Sequence, residues 1–169
     1  MKSRLIVGTI SGVICFALMI LEYVLSGLTT LRSLAGNLEW YGAFIILILV
    51  VNVHLTEMKK VNLLSLKSGL ASSLFVSSLS GLVWGCLSSL YIIYLNPAYP
   101  NIMAWRQIPL NPTNEESYVF DVLDALFSPT ILPVIKLVFC LIFGFIISLV
   151  SATIQTKFIR KQPSESISL

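Results

Sequence analysis

The sequence predicts an all-α integral membrane protein: four transmembrane helices, with a short amphipathic helix in the outer loop between helices 3 and 4. Three observations carry that prediction. Hydrophobic residues fill 56% of the 169 positions and charged residues only 11%, where a soluble domain carries about a quarter charged. The apolar residues gather into four stretches, each near or above the roughly 20 residues that a helix needs to cross the hydrocarbon core. Eight of the 11 Lys and Arg residues fall on one side of those stretches. They are Lys2 and Arg4, then Lys59, Lys60 and Lys67, then Lys157, Arg160 and Lys161. Only Arg32 and Arg106 lie in the opposite loops, and Lys136 lies inside the fourth stretch. The positive-inside bias therefore places both termini in the cytoplasm. It also accounts for the net charge of +3 without a nucleic-acid partner, because the cations sit in three short membrane-flanking segments.

The first span covers 5–25. Lys2 and Arg4 before an apolar run also resemble a signal peptide, with Ser33-Leu34-Ala35 as a cleavage tripeptide. The run is longer than the about 7–15 residues of a signal core, so an uncleaved span is expected. The second span covers 38–55, and Glu39, Trp40 and Tyr41 at its outer start fit the headgroup belt. The third covers 68–95, which as a helix measures about 42 Å against a hydrocarbon core of about 30 Å. It must tilt or protrude, and Tyr91 and Tyr94 mark its outer interface. The fourth covers 131–156. Residues 1–161 thus form one transmembrane domain, and 162–169 a polar, disordered cytoplasmic tail.

The outer loop, 96–130, contains Pro97, Pro100, Pro109, Pro112 and Pro129, so its first half cannot be a continuous helix. From Glu115 to Phe127 the pattern changes. Val119, Val122, Leu123 and Leu126 share one helical face, Thr113 and Glu116 are spaced as a capping box, and Pro129 follows the end. This predicts a surface helix with Glu115, Glu116, Asp121 and Asp124 turned to water.

The most organised pattern lies in the third span, where Gly69, Ser73, Ser77, Gly81, Gly85 and Ser89 recur every four residues. Small residues at that spacing let another helix approach closely, and Gly81 to Gly85 is the expected contact centre. Matching ridges occur at Gly8 and Gly12 in the first span and at Gly144, Ser148 and Ala152 in the fourth. They suit packing within one chain or an interface with another. The serines at 72, 73, 77, 78, 80, 88 and 89 could instead line a polar path, although a hydroxyl can also bond back to its own helix.

Two ionisable residues fall inside spans: Glu22 in the outer part of the first and Lys136 near the start of the fourth. Intramembrane charges are functional candidates by default. A Glu22–Lys136 pair would lower the cost of placing either in lipid. His54, the only histidine, lies near Asn52 and Glu57, and His54-x-x-Glu57 alone is too few ligands for a zinc site. Cys15, Cys86 and Cys140 each sit mid-span and read as small packing residues, not a disulfide framework. No serine is placed with a histidine and an acid, and no glycine-rich phosphate loop occurs. No enzyme, cofactor or metal is expected.

Three segments resemble an uncharacterised bacterial family of four-span membrane proteins, known only as a domain of unknown function. They are Lys59, Lys60 and Lys67 leading into Leu66-Lys67-Ser68-Gly69-Leu70, then Tyr91-Ile92-Ile93-Tyr94-Leu95-Asn96-Pro97, and Gly144 to Ala152. The family commonly shows an acid early in the last span, where this chain has Lys136 nearby. The resemblance implies a bacterial cytoplasmic-membrane protein and supplies no catalytic residue. The expected role is a non-enzymatic scaffold or accessory subunit, acting through its ridges on a second copy or a membrane-protein partner within the bilayer. The competing expectation is a small carrier or channel using Glu22 and the serine face of the third span.

Overall fold

The computed structural model describes residues 2–26, 37–61, 63–107 and 114–160. Every regular element among them is helical: α1 (Lys2–Ser26), α2 (Leu38–Lys60), α3 (Leu66–Leu90), α4 (Tyr99–Gln107), α5 (Asn114–Leu126) and α6 (Leu132–Arg160). Helices α1, α2, α3 and α6 are long and apolar enough to cross a membrane, so the chain is a multi-pass membrane protein of four spans. Their ends lie within a few residues of the limits that hydropathy predicts.

Local chemistry sets those ends. Ser65 and Ser68 form a reciprocal capping box at the start of α3: the Ser65 hydroxyl accepts from the Ser68 N–H (3.1 Å), and the Ser68 hydroxyl accepts from the Ser65 N–H (2.9 Å). At its other end α3 loosens into one π turn, Tyr91–Leu95, closed by the Asn96 N–H on the Tyr91 carbonyl at 2.9 Å. The helical rise therefore continues through 95, as the long third stretch requires.

The four spans form a bundle in which α3 and α6 make the most extensive contact, followed by α1 with α3, α1 with α2 and α2 with α6. Gly8 of α1 faces Val76 and Leu79, and Gly12 faces Ser80 and Val83, so α1 and α3 run parallel. Gly85 of α3 faces Pro133 and Gly81 faces Cys140, so α3 and α6 run antiparallel. The ends that carry Arg4, Lys59, Lys60, Lys67, Lys157 and Arg160 consequently gather at one end of the bundle. Inside lie Cys15, Ala43, Leu47, Val51, Leu55, Trp84 and Cys140. Outside, large apolar side chains such as Ile6, Leu49, Leu82 and Ile142 are exposed, the inverse of a water-soluble surface and what a lipid solvent demands. Cys86 is exposed with them, whereas Cys15 and Cys140 are buried.

At the opposite end, α4 is an element that the prolines concealed. Pro100 occupies its first turn, where a missing N–H costs no hydrogen bond, and the Tyr99 N–H bonds the Asn96 carbonyl (3.0 Å). Tyr99, Met103 and Ala104 are buried. The Tyr99 ring packs against Tyr23, Tyr91 and Phe127 with centroids 5.6, 6.0 and 6.5 Å away. This aromatic lid closes over Met19, Ile92 and Leu132. Helix α5 packs on α4 and leaves Val119, Val122 and Leu126 exposed. The expected Thr113–Glu116 capping box, the cleavage tripeptide and the tail lie outside the described residues or side chains.

Candidate functional site

Beneath that lid all four spans contribute to one buried charged cluster. Glu39 stands in the first turn of α2 and is 2% exposed; Lys136 stands in the second turn of α6 and is 0% exposed. The Lys136 ammonium lies 2.7 Å from Glu39 Oε1, and the Trp84 indole N–H of α3 donates to the same oxygen at 3.0 Å. The ammonium also donates to the Ser88 hydroxyl (2.6 Å) and to the Met19 sulfur (3.1 Å), and sits 4.7 Å from the centroid of the Trp84 ring. Ser88 in turn donates to the Trp84 carbonyl (2.8 Å), which fixes its lone pairs toward the lysine. Trp40 and Phe139 pack edge-on against Trp84, with centroids at 5.4 and 6.2 Å.

Glu22 joins the cluster from α1. Its Oε2 accepts a hydrogen bond from the backbone N–H of Glu39 at 2.5 Å, and Glu22 is itself 2% exposed. Of the two charges expected to pair, Lys136 thus forms an ion pair with Glu39, and Glu22 sits one hydrogen bond behind that acid.

The small-residue ridges create the proximity. A Cβ added to Gly81 would come within 2.8 Å of Cys140 Cβ and 3.1 Å of the Lys136 carbonyl, and one on Gly85 within 2.8 Å of Pro133 Cα. At Gly144 it would collide with the Ser77 side chain. Such approaches bring α6 close enough for Lys136 to reach across α3 to α2. Gly8 and Gly12 seat α1 on the other side of α3, with a Gly12 Cβ 2.7 Å from the Ser80 carbonyl. Ser148 and Ala152 are buried, Ala152 beside Gly69, and Ser89 donates to the Pro129 carbonyl (2.5 Å). All eleven ridge positions, Gly69 and the buried Ser73 included, therefore pack or bond within the chain.

Below the ion pair the interior stays polar. Ser72, Ser73, Ser77 and Ser80 of α3 and Ser148 of α6 are buried, and the hydroxyls at 73, 77, 80 and 148 have no hydrogen-bond partner among the described residues. Ser78 and Ser88 bond back to their own helix. The series ends at His54, whose Nε2 lies 2.5 Å from the Ser72 hydroxyl while Nδ1 is unpartnered among the described residues. From Ser80 to Ser72 the helical rise is about 12 Å. No group of three or more metal-ligating side chains occurs among the described residues.

Reading the sequence missed Glu39 by assigning it to the interface with its aromatic neighbours. The signal was present: the buried stripe of α2, Ala43, Leu47, Val51 and Leu55, advances by fours, and one step back lands on Glu39. Trp84 falls between the ridge glycines and escaped notice because the four-residue spacing skips it.

No family model, no curated protein and no solved structure matches this chain.

Proposed function

We propose that this protein is a small, non-enzymatic carrier whose working element is the buried Glu39–Lys136 pair. The pair itself carries this reading: an acid and a base, both fully shielded, held inside an apolar bundle by side chains from all four spans. Apolar residues of similar volume commonly stabilise as well as or better than a buried ion pair, so stability is a weak reason for charges at this place. The hydroxyls that continue from Ser80 to the His54–Ser72 bond support a path from the pair toward the basic end. The ridges, in contrast, are occupied within the chain and offer little to a second helix. The cation distribution favours both termini in the cytoplasm, and the family resemblance favours a bacterial cytoplasmic membrane.

The test is flux in proteoliposomes, followed with an internal pH dye and solute gradients. Glu39→Gln and Lys136→Met should abolish a movement that the parent supports, with helicity and monodispersity kept. Full activity in both folded variants would sink the carrier reading.

A second reading, an accessory subunit, is favoured by one observation. Trp40, Tyr41, Phe44, Phe139 and Phe143 line an apolar groove between α2 and α6. A partner helix docked there would co-purify in mild detergent and be lost on Phe44→Ala, with ion-pair variants unaffected.

A further inference from the structure

The two donors that meet at Glu39 Oε1 define more than an ion pair. An ammonium at 2.7 Å and an indole N–H at 3.0 Å converge on one carboxylate oxygen, and an indole N–H can only donate. The third ammonium proton is directed at a thioether sulfur, Met19 Sδ, a weak acceptor that a second anionic oxygen would better. Lys136 is the one cation that the cluster's described side chains supply, and Glu22 stays one hydrogen bond behind Glu39 as a second acid, so the site takes no more than one further negative charge once Glu39 is neutral. Met19, Ser88 and Trp84, all buried, surround the ammonium, so the room for another anion is what Glu39's own carboxylate vacates.

Resting on the carrier reading, we infer that Lys136 and Trp84 form a binding site for a small monocarboxylate anion, in which the Glu39 carboxylate is the resident occupant. Exchange requires one proton. It adds to a Glu39 carboxylate oxygen, and the resulting neutral acid no longer competes for the ammonium. The incoming carboxylate then accepts from the Lys136 and Trp84 N–H groups. When the anion leaves, Glu39 returns its proton to water and closes again on Lys136. One anion and one proton cross together, and no net charge moves.

The probe is formate, with chloride at equal ionic strength as control, added to the purified full-length protein in detergent while its melting temperature is followed. Glu39→Gln, which fixes the neutral state, should bind formate about tenfold more tightly than the parent. Adding Lys136→Met should remove the effect. Formate acting no better than chloride on Glu39→Gln would overturn the inference. Should that variant not fold, Glu39→Ala, which removes the resident carboxylate, is titrated with formate at neutral pH and compared with the parent. Tightening supports the site, and a flat, chloride-like response overturns it. Formate that binds but never crosses in proteoliposomes would leave the site standing and sink the carrier. A Glu39-dependent flux of another solute, without formate binding, would do the reverse.

Discussion

Glu22 caps helix α2 from outside it, accepting the backbone N–H of Glu39 at 2.5 Å. The residue before that helix, Asn37, makes no side-chain capping bond, so an acid from α1 satisfies one of the N–H groups that every helix start leaves open. A carboxylate there also complements the positive end of the helix dipole. Glu22→Ala should therefore lower stability by about 1–2 kcal/mol, the range of a lost cap. Glu22→Gln, which keeps an acceptor oxygen, should cost clearly less. Unfolding titrations in detergent would compare them, and equal losses would rule out the capping role.

The ion pair predicts strong coupling between two positions far apart in sequence. Removing one partner of a buried pair costs about 3–5 kcal/mol because the other charge is left uncompensated. Glu39→Gln and Lys136→Met should each fall near that range in the same titrations, and the double variant should lose well under their sum. Strict additivity would mean that the two side chains do not meet in the folded protein.

Gly144 and Ser77 allow a compensation test of the α3–α6 contact. A methyl group on Gly144 has no space beside the Ser77 side chain, so Gly144→Ala should cost about 1–3 kcal/mol by overpacking. Ser77→Gly placed on the same chain should restore most of that loss. If the second substitution adds to the damage, the two helices do not touch there.

The fold was legible because its largest forces are written along one dimension. Span length, apolar composition and the placement of lysines and arginines need no knowledge of which helix touches which. The ridges were legible for the same reason, since Gly81 and Gly85 announce a close approach whatever comes near. The site was only half legible. Lys136 and Glu22 stand out as charges within apolar runs, but their partners depend on how four helices are rotated, and the acid that pairs with Lys136 lies at a span's edge. Helix α4 was hidden by Pro97 and Pro100, because a proline reads as a breaker until its position in the first turn is known.

Orientation has its own experiment. With Cys86 replaced by Ala, a cysteine at Ala98, which is exposed on the lid end, should react with an impermeant maleimide in intact cells. One at Lys60, exposed on the basic end, should react only after lysis. The reverse pattern would invert the protein in its membrane.

The cluster's composition also sets an order in time. Glu39 arrives with the second span made by the ribosome and Trp84 with the third, but the ammonium that neutralises the acid belongs to the fourth. A chain interrupted before α6 carries a carboxylate within the bilayer and no Lys136 to meet it. Insertion of α6 thus completes the charge pair, and a chain stopped before it leaves Glu39 in lipid without its ammonium.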